Sequence, residues 1–175
     1  MWGAIKAAIN SMVGKGVKTL DKVSMDSADS VIYEIMRDKY GTTYYEGDET
    51  AVCERTMSAP ASWITGSTTL KNVYFSPETK YFITMILSGC VEIEELYLPS
   101  AVEISTGAFS NLPFLKTVVL GNNLTRLGAS AFYQCPALKS IFFRGTILQW
   151  NLVKKDSSWK TGEVNVYCYD GVTKA

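Results

Sequence analysis

Between residues 70 and 143 one pattern of apolar and polar positions returns four times. LKNVYF begins at Leu70, IEELYL at Ile93, LKTVVL at Leu115 and LKSIFF at Leu138. The starts lie 23, 22 and 23 residues apart, so the pattern keeps its phase throughout. Each copy is apolar at its first, fourth and sixth positions and mostly polar at its second and third. Apolar groups two residues apart are the signature of a strand with one buried face. A fixed period in the low twenties is too short for an independent domain and fits one coil of a stacked array. Each copy therefore predicts one strand of a parallel sheet, followed by a short crossover. Val73 and Phe75, Leu96 and Leu98, Val118 and Leu120, and Ile141 and Phe143 are the predicted core. Phe109 and Phe132 should fill the crossover side. Ala108 and Ala131 beside them are small enough to let successive backbones stack closely.

A period of 20–29 residues with an L-x-x-L-x-L core is that of a leucine-rich-repeat solenoid, an architecture used for binding or scaffolding. The fold class expected is an α/β repeat with a parallel sheet, preceded by a small, mainly helical N-terminal region. Trp2, Ile5, Ile9, Met12 and Val13 have helical spacing and stop before Gly14 and Gly16. A second helix is predicted near residues 28–40, with Ser27 or Asp29 as cap, Val31, Ile32, Ile35, Met36 and Tyr40 on the buried face, and Gly41 as stop. Residues 42–57 read as two strand-like pieces around an acidic turn, Glu46 to Glu49. That turn has too few oxygen ligands at alternating positions for calcium. The proline-bearing SAPASWITGS (58–67) marks a junction, and a partial further coil fits there, with Ile64 six residues before Leu70. Three regions are expected: 1–60 for anchoring or assembly, 61–147 for the array and 148–175 for a cap.

If the fourth and sixth positions point inward, the fifth points outward: Tyr74, Tyr97, Val119 and Phe142. A solvated sheet would more often carry Lys, Thr or Glu there. The flanking rows read Asn72, Glu95, Thr117, Ser140 and Ser76, Pro99, Gly121, Arg144, so the apolar row has a polar margin. That layout suits a contact surface, and Tyr74, Tyr97, Val119, Phe142, Asn72, Glu95 and Arg144 are the candidate binding residues. Two other readings compete: aromatic and β-branched residues suit strands in any case, and the N-terminal region could fold over this face.

Chemistry narrows the functions. The 175 residues contain no histidine, which removes Ser-His-Asp, Cys-His and His-ligated zinc chemistry. Seventeen basic and seventeen acidic residues leave no electrostatic footprint for nucleic acid, and no apolar run is long enough to span a bilayer. Cys90 and Cys135 hold one repeat position two coils apart, on the order of 10 Å, too far for a disulfide. Cys53 and Cys168 could be free or paired. Without C-x-x-C spacing the metal signal is weak, and no metal or cofactor is expected. The sequon at Asn123 carries no weight without secretion. A hydrolase with paired carboxylates would draw on Glu92, Glu94 and Glu95, the only dense acidic cluster of the array. Lys71, Lys116 and Lys139 share the repeat position of Glu94, so a solvated edge is the simpler reading.

The phrases TGAFSNLPFL (106–115) and SAFYQCPAL (130–138) repeat Ala-Phe-x-x-Cys/Leu-x-x-Leu, and LSGCVEI (87–93) keeps the Cys end. Together with the strands they resemble the BspA-type leucine-rich repeats, written with an AFxxCxxL motif. Trp150, Trp159, Val166, Cys168 and Asp170–Gly171 resemble that family's closing segment. Leu112 for cysteine and Leu87 for phenylalanine depart from it. The resemblance covers about residues 61–171 and implies a protein of bacterial surfaces or of gut bacteriophages. The expected function is non-catalytic recognition or assembly. The absence of a signal-like start favours a virion component (tail, baseplate or fibre-associated) made in the host cytoplasm, with a bacterial cell-surface adhesin as the alternative. The expected partner is a protein or a surface glycan, with residues 1–60 available for homo-oligomer or virion contacts.

Overall fold

The computed structural model describes residues 37–38, 49–53 and 66–175. In chain order its elements are β1 (Thr50–Cys53), β2 (Asn72–Phe75), β3 (Tyr81–Phe82), β4 (Glu95–Leu98), β5 (Glu103–Ile104), β6 (Thr117–Leu120), β7 (Arg126–Leu127), β8 (Ser140–Phe143), α1 (Ile147–Leu152), β9 (Lys154–Lys155), β10 (Asn165–Cys168) and β11 (Gly171–Lys174). The predicted helix at 2–13 lies outside the described residues. Of the one at 28–40 only Arg37 and Asp38 fall within them; both are helical and exposed. Ile64 also lies outside.

The chain winds as a β-solenoid. The principal sheet runs β1-β2-β4-β6-β8-β10-β11 and is parallel up to its last strand. Register is kept without slip: Thr50, Asn72, Glu95, Thr117, Ser140 and Asn165 are successive partners. Among the described residues the sheet thus starts at Thr50, inside the stretch 1–60 expected to serve for anchoring or assembly. Val73, Phe75, Leu96, Leu98, Val118, Leu120, Ile141 and Phe143 are all buried, as the alternation requires. Phe109 and Phe132 are buried too, stacked with centroids 5.6 Å apart.

The α/β expectation is corrected in the crossovers between β2 and β8, which are extended or turning; among the described residues only the last crossover, from β8 to β10, carries a short helix. A second parallel sheet, β3-β5-β7-β9, lies on this side. Each of its first three strands contributes one buried residue: Phe82, Ile104 and Leu127. The Ala-Phe phrases cannot be helical because their amides donate to the next coil instead of four residues back. The Gly107, Phe109 and Asn111 N–H groups donate to the carbonyls of Ala129, Ala131 and Tyr133, each at 2.9 Å. Two left-handed positions recur in phase to turn the chain there: Met85, Gly107 and Ser130, and Gly66, Gly89, Asn111 and Gln134.

The six-residue helix α1 is held by a capping box. The Thr146 hydroxyl accepts from the Gln149 amide and the Gln149 side chain accepts from the Thr146 amide. It plants Trp150 in the core against Phe143 and Trp159. β11 then reverses direction through the Tyr169–Asp170 turn and ends the sheet. Cys53, Cys90, Cys135 and Cys168 are not linked by disulfides. Cys53 and Cys168 hold the same inward position on β1 and β10, five strand spacings apart, on the order of 24 Å.

Candidate recognition surface

The fifth-position residues lie side by side on the outward face. Tyr74 is the register partner of Tyr97, Tyr97 of Val119, and Val119 of Phe142. The row is longer than the four repeats suggest: Val52 precedes Tyr74, Tyr167 follows Phe142, and Val172 on β11 lies opposite Tyr167. A sequence signal for these existed. Thr50 stands 22 residues before Asn72, and Asn-Val-Tyr-Cys at 165–168 repeats the Asn-Val-Tyr of β2. Tyr74 and Tyr97 rings lie 5.7 Å apart, and Phe142 stacks on Tyr167 at 5.0 Å.

Exposure along this row is graded. Val52, Tyr74, Tyr97 and Val119 are 2%, 2%, 0% and 2% exposed, whereas Phe142 is intermediate, Tyr167 is 37% and Val172 57% exposed. The four candidates therefore share one row, but the part running from Tyr74 to Val119 is closed to solvent. Burial drives the Tyr97 phenol well above its ordinary range, because the phenolate would lose its hydration; the nearby Tyr74 adds to this.

Arg144 is nearly buried and reaches back across β6. Its Nη2 donates to the Tyr97 hydroxyl at 3.1 Å, and the guanidinium sits 5.4 Å from that ring's centroid. The intervening position in its row is Gly121, where a Cβ would stand 1.7 Å from the Pro99 carbonyl oxygen. Glycine is required there by the approach of the two backbones. On the other margin the Asn72 amide donates to the Thr50 hydroxyl at 3.4 Å, and Glu95 is half-buried.

Of the acidic cluster, Glu94 is placed for charge pairing between coils. Glu94 Oε2 accepts from Lys116 Nζ at 2.8 Å, and Glu49 pairs with Lys71 in the same row. The Glu49 hydrogen bond raises the Lys71 pKa. On the second sheet Arg126 bridges Glu103 and Asp156 at 3.1 and 2.7 Å, which holds the Asp156 carboxyl below its usual range. Lys155 caps the Trp150 and Val153 carbonyls and lies 4.5 Å above the Trp150 ring; burial lowers its pKa. A shallow hollow lined by Val91, Asn111, Pro113, Gln134, Pro136 and Thr161 runs under the crossover turns without a charged group in its lining.

Exposed apolar groups lie on the crossover side (Tyr81, Met85, Val91, Phe114 and Tyr133) and at the C-terminal end, where Tyr167, Tyr169 and Val172 on and around β10 and β11 are joined by Leu148 and Leu152 on α1, which packs on β11. Among the described residues β11 has a single strand neighbour, so its outer edge offers backbone donors and acceptors. No helix among the described residues is long and apolar enough to cross a membrane.

No curated protein sequence matches the chain. Among solved structures, a leucine-rich cell surface protein from Faecalibacterium prausnitzii matches at 24% identity with a TM-score of 0.49. The match covers 53% of this chain and 25% of that one, so the chain corresponds to about a quarter of that protein's length. The model of the BspA type leucine rich repeat region matches residues 62–152 in six copies. That is just over half of the chain, and with the in-register coils it establishes that the chain belongs to the BspA-type leucine-rich repeat family.

Proposed function

We propose that the chain is a non-catalytic recognition module displayed at a bacterial cell surface, which holds a protein partner through the open C-terminal end of its sheet. The observation that carries this is the exposure of Tyr167, Tyr169 and Val172, with Leu148 and Leu152 on the adjoining α1, at the edge of β11 that has no strand neighbour among the described residues. Aromatic anchors next to a free strand edge suit a protein that adds backbone hydrogen bonds to side-chain contacts. The family resemblance, which spans proteins of bacterial surfaces and of gut bacteriophages, supports a role in surface recognition. A non-catalytic role is supported by the pairing of Glu94 with Lys116 and by the lack of histidine.

Protease shaving of intact cells that make the chain tests the location: peptides from 66–175 are expected in the shaved fraction. Many copies per particle in purified virions would overturn it in favour of a tail, baseplate or fibre-associated protein. The contact is tested by binding of labelled chain to host surfaces. Tyr167→Ala with Val172→Asp should weaken it at least tenfold at unchanged thermal stability, and equal binding would overturn the assignment. Glycan cleavage that disappears in Glu92→Gln or Glu94→Gln would overturn the non-catalytic reading.

A further inference from the structure

The edge of β11 is self-complementary in both its backbone and its charges. β11 pairs with β10 in the register Asn165–Lys174, Val166–Thr173, Tyr167–Val172 and Cys168–Gly171. One step further on, the Ala175 amide donates to the Val164 carbonyl at 3.0 Å. Hydrogen-bonded and open pairs alternate along an antiparallel ladder, so Val166–Thr173 and Cys168–Gly171 are bonded pairs as well. Val172 and Lys174 therefore turn their N–H and C=O groups away from β10. Both residues are exposed, and among the described residues no strand lies on that side. Lys174 stands at one end of this edge and Asp170, also exposed, at the other, with Val172 midway. Asp170 uses Oδ1 to accept from the Ile147 amide at 2.8 Å. Lys174 reaches Glu163 at 3.4 Å with both side chains mostly in water, so that pair holds it loosely.

We propose that the protein taken up at this edge is a second copy of this chain, an assignment that rests on the docking role proposed above: two β11 strands pair antiparallel about a two-fold axis at Val172 and join their sheets edge to edge. Charge selects both the occupant and the register. With the axis at Val172, the two Val172 residues exchange both backbone hydrogen bonds, and each Lys174 lies directly opposite Asp170 of the other copy. Moving the axis to Thr173 sets Val172 against Lys174, and moving it to Lys174 brings two ammonium groups together. An edge lysine ordinarily keeps other strands away; here the acid that offsets it is carried four residues back on the same hairpin. The outward row then continues without a break, since Phe142, Tyr167 and Val172 of one copy meet Val172, Tyr167 and Phe142 of the other. The contact is isologous and closes with two copies.

Sedimentation velocity of the full-length protein over a concentration series tests the pairing. A reversible monomer–dimer equilibrium is expected; Lys174→Glu should weaken it at least tenfold, and Asp170→Lys/Lys174→Glu should restore it. A monomer throughout, or a dimer indifferent to Lys174→Glu, would overturn the pairing. Cysteine cross-linking in a Cys168→Ser background keeps the test independent of how Asp170→Lys folds. Val172→Cys, with Cα atoms about 5.5 Å apart across the axis, should give a disulfide-linked dimer. Lys174→Cys, about 14 Å from its counterpart, should not. Absence of the first cross-link or appearance of the second would contradict the register. A chain that stays monomeric yet binds host surfaces through Tyr167 and Val172 would exclude the second copy and leave the docking role standing, whereas a dimer that binds no host surface would support the second copy as the partner.

Discussion

Replacing Phe132 by alanine probes the stacked crossover most sharply. The ring is fully buried, stacks on Phe109 at 5.6 Å and meets Trp159 edge-on at 6.3 Å. Its neighbours cannot close over the gap. The Phe132 amide donates to the Trp159 carbonyl at 2.7 Å and the Phe109 amide to the Ala131 carbonyl at 2.9 Å, which fixes the coil spacing on both sides. A buried Phe→Ala change costs about 3–5 kcal/mol, and two lost aromatic pairs, worth about 0.5–1.5 kcal/mol each, place this site at the upper end. Urea unfolding followed by circular dichroism, with the m-value checked for constancy, measures it. Tyr133→Ala is the control: the adjacent residue is 45% exposed and its truncation should change stability by less than about 0.5 kcal/mol. A Phe132→Ala cost below about 1.5 kcal/mol would show that the coils relax independently and would refute the argument.

Three further outcomes are expected. Gly121→Ala should destabilise by about 1–3 kcal/mol, because its methyl meets the Pro99 carbonyl and not a yielding side chain; chemical denaturation at pH 7 would detect it. Burial pushes the Cys53 and Cys135 thiols from 9.0 up to about 12 and about 11, so their contribution is whole below pH 9 and is lost as pH rises toward those values. Cys53→Val should therefore flatten the alkaline fall in urea midpoint, and half-buried Cys168 should react first with a thiol reagent in the native state. The Arg126 hydrogen bond depresses the Asp156 pKa, so that pairing stabilises above the ordinary carboxyl range and fades as pH falls through the lowered value. Arg126→Leu should reduce the acid-side slope of stability, and an unchanged slope would show that the pair contributes nothing.

The strands β2, β4, β6 and β8 were legible because their inward residues alternate and their phase repeats. The second sheet was not, because a two-residue strand has no alternation to read. Its only trace is the recurrence of Phe82, Ile104 and Leu127 at one coil position. The form of the crossovers was not legible, because the Ala-Phe-x-x-Cys/Leu phrase does not reveal that its amides are taken by the neighbouring coil. β1 was read as strand-like, yet membership of the sheet depended on a 22-residue offset across a dissimilar junction. The outward row was legible as a row. Its burial was not, since an apolar fifth position looks the same whether the chain or a partner covers it.

Aromatic NOE spectra of the full-length protein test the in-phase stacking of coils most directly. Cross-peaks are predicted between Tyr74 and Tyr97 and between Phe142 and Tyr167 on the outward face, and between Phe109 and Phe132 across the crossover. Loss of the Phe109–Phe132 peak together with contacts from Tyr97 to either ring would put the two faces of the sheet on one side and contradict the account.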